Sequence, residues 1–309
     1  MKILVKTAGM DRSQWLQWRN QGIGGSDVSV IAGVNKFKSI YSLWKEKTGQ
    51  IEPVETENDY VHFGSILEPI VKQEFTRRTG LKVRAKRAIL QSEKYPFMLA
   101  DLDGVINADG QMCIFEAKTA SAYQQEVWEK GVPFAYVLQV QHYMAVTGFQ
   151  KAYVAAIVGG NYFIYHMVER NEILIQSIIA MEKQFWEAHV LGGTEPKPDG
   201  SAATTTYLNW AYAESNGGTI ELPQEALHIF ERYDAVSEEL EKLQEKKNLL
   251  SNQLKVYLKE NEEGIVGNRK ISWKQVQTKR LDQNKLKEEK PELYDKYLVE
   301  GSYRRFMVA

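Results

Sequence analysis

Apolar and polar residues follow two periods in the first two-thirds of this chain, and only the helical one dominates the last third. Asp11 to Arg19 predicts a helix capped by Asp11 or Ser13. Gln21-Gly-Ile-Gly-Gly-Ser26 predicts a turn, where glycines permit backbone shapes that other residues resist. Short helices are expected from about Ser26 to Ala32 and from Ser42 to Lys47. His62 to Arg78 sets Phe63, Ile66, Leu67, Ile70, Val71 and Phe75 on one helical face. Leu81 to Leu90 is extended in pattern. Met98–Ile106 and Met112–Lys118 flank Asn107-Ala-Asp-Gly110, a hairpin turn signal. A helix over Ala135–Thr147, a buried strand over Ala152–Val158, an alternating strand over Tyr162–Val168 and an amphipathic helix over Glu172–His189 complete this part.

Gly192 to Gly200 gathers Gly, Pro and polar residues and predicts a break. The domain reading is therefore 1–195 and 196–309. Beyond the break, Pro223 to Asn261 is helical, with Leu227, Phe230, Tyr233, Val236, Leu240, Leu243, Leu250, Leu254 and Tyr257 at three- and four-residue spacing. Packing on its own chain is the expectation, with an intermolecular coiled coil as the alternative. Gly267–Thr278 and Tyr303–Val308 resemble short strands.

The 309 residues are 43% hydrophobic and 26% charged, within the range of soluble globular proteins. No apolar run approaches the ~20 residues of a membrane span. The first twelve residues lack the apolar stretch of a secretory signal. Cys113 is the only cysteine, which excludes an internal disulfide and a cysteine-rich zinc site and fits a reducing cytoplasm. The five histidines are scattered without metal-ligand spacing. A net charge of −1 excludes coating nucleic acid through bulk charge, but not a local basic surface. Lys72 to Arg87 holds seven cations against Glu74, either as a solvated face or as one turned to DNA. Trp15, Trp18, Trp44 and Trp128 are expected in packing rather than stacked on DNA ends.

Leu99-Ala-Asp-Leu-Asp-Gly104 followed by Ile114-Phe-Glu-Ala-Lys118 carries the candidate chemistry. Strand side chains alternate between faces, so Glu116 and Lys118 point the same way. A twisted hairpin brings Asp103 beside Glu116. Two close carboxylates repel, and a divalent cation relieves that repulsion. Hard oxygen ligands suit Mg²⁺, with Mn²⁺ as a substitute, and the Ala117 carbonyl is a further candidate ligand. Such an ion activates water and polarises a phosphodiester, while Lys118 orients the water or neutralises charge on phosphate oxygens.

Asp103 followed by Glu116-Ala-Lys118 resembles the PD-(D/E)XK nuclease signature. Over residues 12 to 190 the chain resembles, more narrowly, the YqaJ-type viral recombinases, the family of lambda-type phage exonucleases. Arg19-Asn-Gln-Gly-Ile-Gly-Gly-Ser26 is similar to the family's opening motif, which implies that Arg19 and Ser26 hold a 5′-phosphate. Gly64-Ser-Ile-Leu-Glu68 is similar to its Gly-x-x-x-Glu helix, which implies that Glu68 serves the metal site directly or through water. Gln139-Val-Gln-His-Tyr143 resembles its Gln-x-x-x-Tyr motif. That places Gln139 in the catalytic set and Tyr143 against DNA. The chain departs from the pattern at Leu102, where proline is common, and at Asp101, where a small serine is expected.

The resemblance implies an α/β fold: a restriction-endonuclease-like core, with a central mixed β-sheet flanked by helices, and a C-terminal extension of helix and short strands. It implies 5′ to 3′ digestion of linear double-stranded DNA, leaving 3′ single-stranded tails. It further implies a ring-like homo-oligomer, trimer or tetramer, and a single-strand annealing recombinase as partner. A structure- or sequence-specific endonuclease and a non-catalytic DNA-binding recombination subunit are the alternatives on this fold.

Overall fold

The computed structural model describes residues 1–51 and 59–308. It divides into two compact units, Met1–Ala211 and Tyr212–Ala309. The first unit begins with β1 (Lys2–Lys6) and three short helices, α1 (Arg12–Arg19), α2 (Gly25–Ile31) and α3 (Ile40–Lys47). Asp11 caps α1 by accepting from the Gln14 amide. The long α4 (Asp59–Thr79) follows, then β2 (Ala88–Gln91), β3 (Leu99–Asp101), β4 (Gly104–Ala108) and β5 (Gln111–Ala120). After α5 (Gln125–Lys130) come α6 (Phe134–Thr147), β6 (Lys151–Val158), β7 (Tyr162–Glu169), α7 (Glu172–Gln184) and α8 (Ala202–Ala211). The helix of α7 continues as π-helical turns over Phe185–Leu191.

The expected mixed sheet is β4-β5-β6-β7, with β5 and β6 parallel and the other pairs antiparallel. β1, β2 and β3 form a separate antiparallel sheet. The turn between β4 and β5 has positive φ at both Asp109 (52°) and Gly110 (81°), the backbone that matches strand twist in a two-residue hairpin. The stretch Met98–Ile106, expected as one strand, is two: the chain leaves the first sheet after Asp101 and enters the second at Gly104. Asp103 therefore lies in the bend between sheets rather than within a strand.

Alternation along β5 divides the core. Ile114 packs with Val154, Ala156, Val140 and Met144 on the α6 face, whereas Phe115 packs with Val71 and Phe75 of α4 on the other. Only the C-terminal half of α4 lies over the sheet. Val71 and Phe75 are buried, but Phe63, Ile66 and Ile70 are about half exposed, so the predicted apolar face is only partly used. α8 packs back onto α3, with the Tyr207 ring edge-on to Tyr41 at 5.8 Å and Leu208 in the same cluster. For that reason the first unit runs to Ala211 instead of stopping at residue 195.

The second unit contains α9 (Ala226–Leu258), the hairpin β8 (Glu263–Val266) and β9 (Arg269–Ser272), and the short helices α10 (Gln283–Glu289) and α11 (Pro291–Lys296). Tyr303–Val308 forms no strand. Within the second unit the apolar residues of α9 are not covered: Leu240 is 61% and Leu250 60% exposed. Among the described residues no helix is long and apolar enough to cross a membrane.

Phe75 locks α4 to the sheet through ring contacts with Phe115, Tyr153 and Tyr165 at 4.9 to 5.6 Å. Phe75→Ala should cost about 3–5 kcal/mol through the cavity it leaves, read as a fall in the midpoint of urea unfolding with an unchanged slope.

Candidate active site

β4 pairs with β5 only up to Phe115, so from Glu116 onward the β5 edge facing β4 is free of that partner. The continuing register sets Asp103 opposite Glu116. The Ala117 amide, which no strand claims on that side, donates to Asp103 Oδ2 at 2.8 Å. This bond ties the bend between the sheets to β5. The free edge opens on a cavity of about 260 Å³, lined by Asp103, Glu116, Ala117, Lys118 and Thr119, and by Gly64, Ser65 and Glu68 of α4.

On the α6 face, Glu116 and Lys118 meet Gln139. Lys118 Nζ donates to Glu116 Oε1 at 2.7 Å and to Gln139 Oε1 at 3.1 Å. Gln139 Nε2 donates to the same Glu116 oxygen at 2.7 Å and to the Tyr143 hydroxyl at 3.1 Å. The ammonium and the carboxylate thus fix which end of the Gln139 amide points where. Lys118 also sits 4.7 Å above the Tyr136 ring. Burial favours the neutral amine of Lys118, but Glu116 and Asp103 outweigh it and hold the ammonium above the ordinary lysine value. Burial pushes the Asp103 carboxyl well up, and the charges of Glu116 and Glu68 add to that. The Glu116 carboxyl is raised by burial, with Lys118 opposing.

These carboxylates suit a cation. Glu116 Oε2 is buried without a hydrogen-bond partner, an arrangement that costs free energy until a positive group meets it. Asp103, Glu116 and the Ala117 carbonyl are hard oxygen donors. Among the described residues no group of three His, Cys, Asp or Glu side chains is arranged to hold an ion without other donors. Glu68 comes from the helix on the opposite sheet face and pairs with Lys72. Tyr143, read from the sequence as a DNA contact, is buried and turned toward Gln139. Its hydroxyl accepts from Gln139 Nε2 at 3.1 Å.

A second cluster lies where α1, α2 and α3 meet. The Arg19 guanidinium donates to the Ser26 hydroxyl and stands 3.5 Å from Asp27. Asp27 accepts from the Gly24 amide at 3.0 Å and pairs with Lys47 at 2.9 Å. Burial pushes the Asp27 carboxyl up, but Lys47, Arg19 and Lys38 together hold it far below the usual carboxylate range. The Lys47 ammonium is lowered by burial, with Asp27 opposing. Lys47 also reaches the Arg19 carbonyl at 3.3 Å. Trp15 lies beneath both Arg12 (4.2 Å) and Arg19 (5.1 Å), and its indole N–H donates to Asp101 at 2.7 Å. Sequence reasoning missed Asp27 and Lys47, because 20 residues separate the partners and neither belongs to a spacing rule. Of the basic segment, Lys72, Arg77 and Arg78 are paired to Glu68 and Glu74, and Arg84 and Arg87 are exposed.

The two clusters touch at Gly25. A Cβ there would stand 2.5 Å from the Tyr143 ring and 2.9 Å from Gln139 Cγ. The glycine is required by this close approach of α2 to α6, more than by turn conformation. On the far side of α6, His142 Nε2 donates to the Leu99 carbonyl at 2.8 Å, and Nδ1 faces Glu182 at 2.6 Å. This buried pair clamps the helix that carries Gln139 to the strand that leads to Asp103.

A mixed sheet that sets Asp103 opposite Glu116, with a lysine two positions on, is the arrangement expected from the PD-(D/E)XK resemblance. Residues 14–150 match the YqaJ-like viral recombinase domain. The chain is 42% identical over 309 residues to the protein of Bacillus subtilis (strain 168) called uncharacterized protein YqaJ, covering 99% of this chain and 96% of that one. The chain belongs to the YqaJ-like viral recombinase family. Among solved structures it is similar to an alkaline exonuclease from Laribacter hongkongensis, with 19% identity, a TM-score of 0.47, and coverage of 58% of this chain and 92% of that one. It is also similar to a phage-related exonuclease from Haemophilus somnus 129PT, with 13% identity, a TM-score of 0.43, and coverage of 56% and 96%.

Gly25→Ala should displace Tyr143 and Gln139, lowering both thermal stability and any activity of the site while leaving far-ultraviolet dichroism close to the parent. Asp103→Asn should behave oppositely in stability. A carboxyl raised in the folded state favours folding below its unfolded value of 3.8, and this contribution is lost as pH rises through the folded value. In EDTA, Asp103→Asn should therefore melt higher than the parent at neutral pH. The two should converge in acid, as scanning calorimetry across pH can check.

Proposed function

We propose that this chain is a divalent-metal-dependent DNA exonuclease that digests linear double-stranded DNA from 5′ to 3′ and leaves 3′ single-stranded tails for recombination. The observation that carries this reading is the set Asp103, Glu116 and Lys118 on one cavity, with Gln139 bonded to Glu116 and Lys118 and with Glu116 Oε2 buried and unpartnered. Membership of a viral recombinase family supports DNA as substrate.

Asp103, Glu116 and the Ala117 carbonyl would hold Mg²⁺, with Mn²⁺ able to substitute. When bound, the ion supplies Lewis acidity for phosphodiester cleavage. Lys118 acts as donor and counter-charge, since its neighbours keep it an ammonium rather than a base. Gln139 holds Lys118 and Glu116 in register, and Tyr143 holds Gln139. Glu68 contributes from the cavity rim through water. Arg19 and Ser26 take the 5′-phosphate of the strand being shortened, where a guanidinium forks onto phosphate oxygens. Asp27 and Lys47 hold Arg19 beneath that phosphate. A cytoplasmic, ring-like homo-oligomer working with a single-strand annealing recombinase completes the reading.

Purified protein with Mg²⁺ should release nucleotides from linear duplex bearing a 5′-phosphate, more slowly from a 5′-hydroxyl end, and leave closed circular duplex intact. Cutting of the circle would make it an endonuclease. No release from any linear end would remove the proposal. Glu116→Gln should lose cleavage by roughly a hundredfold or more and still bind linear duplex in a gel-shift assay.

A further inference from the structure

α9 is 33 residues long, about 50 Å of helix. Two sets of its positions, apolar but for Lys247, keep a seven-residue repeat, with Leu227, Phe230, Leu249 and Val256 lying off it. Ile229, Val236, Leu243, Leu250 and Tyr257 recur every seven residues, and Tyr233, Leu240, Lys247 and Leu254 recur every seven residues, offset by four. A strict seven-residue repeat on a 3.6-residue helix demands a partner helix supercoiled to the left, which a flat protein surface does not supply. The opposite edge, Glu231, Glu238, Glu245 and Asn252, is wholly polar. The second unit leaves the seam uncovered: Ile229 is 68% exposed, Val236 56% and Leu243 52%. The β8–β9 hairpin buries Leu258, at the C-terminal end and beside the seam, and leaves Leu254 and Tyr257 exposed. No other helix among the described residues has this length and repeat.

Charge decides the occupant and its direction. Residues 226–245 hold Glu231, Asp234, Glu238, Glu239, Glu241 and Glu245 against Arg232 and Lys242, whereas residues 246–258 hold Lys246, Lys247 and Lys255 and no acid. A parallel pair would stack acid on acid and set Lys247 against its own copy. An antiparallel pair in full overlap sets Leu240 on Leu243, Leu254 on Ile229 and Tyr233 on Leu250 of the second copy. Lys247 then meets Val236 of that copy and lies beside its Glu239, and Lys246 pairs with the same Glu239. Neither lysine nor Glu239 has an ion-pair partner within the chain, among the described residues.

We propose that α9 is a self-recognition helix, forming a two-fold antiparallel coiled coil with α9 of a second copy of this chain. The seam specifies the pairing, with Lys246 and Lys247 against Glu239 setting direction and register.

The full chain should sediment as an even-numbered assembly. Leu240→Asp with Leu243→Asp should halve its mass while unfolding of the rest of the chain is unchanged. Glu239→Lys should raise the dissociation constant roughly tenfold, as two attractive contacts on each copy become repulsive, and adding Lys246→Glu and Lys247→Glu should restore it. For direction, Ile229→Cys and Leu254→Cys chains are mixed and oxidised. Cross-linking between the two variants supports the antiparallel pair, whereas Leu254→Cys cross-linking to itself overturns it. A parent of unchanged mass after the double Asp substitution overturns the proposal. So does a monomeric parent that loses melting temperature on that substitution, because its seam is then covered by its own chain.

Discussion

One ammonium group between buried carboxylates governs the architecture of the candidate site. Lys118 satisfies one oxygen of Glu116 and the carbonyl end of Gln139, and in doing so sets the spacing between β5 and α6. Two carboxylates taken out of water beside one another would otherwise drive each other to protonation. The ammonium offsets part of that cost and leaves one Glu116 oxygen unpaired. A cation at that oxygen completes the balance, so the site is strained electrostatically in the direction of its proposed cofactor. This is a stability cost carried for chemistry, a pattern common where activity requires charge in a dry place.

The surrounding elements keep that strained group in register. The Ala117 amide holds Asp103 where the chain passes from one sheet to the other. His142 and Glu182 clamp α6 to β3 from the far side. Gly25 lets α2 approach α6 closely enough for the Arg19–Ser26–Asp27–Lys47 cluster to adjoin Tyr143. A rigid path therefore runs from the guanidinium proposed to grip a DNA end to the carboxylates proposed to cut it. Arg19 depends on Asp27 in a specific way: a buried carboxylate shared with Lys47 stands against the guanidinium.

The second unit follows a different logic. Its long helix carries a regular apolar seam that the rest of the unit does not cover, and its charges are segregated by halves. Hydrophobic repeat and charge order together specify a pairing geometry, as in other helices that recognise their own kind.

Much of the fold was legible from local pattern. Period and turn chemistry located the hairpin at Asp109–Gly110, the buried β6, and the helices around them, because each reflects sterics acting within a few residues. The two-residue step from Glu116 to Lys118 and the four-residue step from Gln139 to Tyr143 were likewise readable, since strand and helix geometry decide them alone. Tertiary structure decided what depends on residues distant in sequence. It ended α4's apolar burial at Val71 and Phe75, broke one expected strand at Asp103, turned Tyr143 inward, and joined Asp27 to Lys47. It also left the α9 seam uncovered within the second unit. Periodicity states which face of an element is apolar, but only the packed chain determines whether another surface lies within reach to bury it.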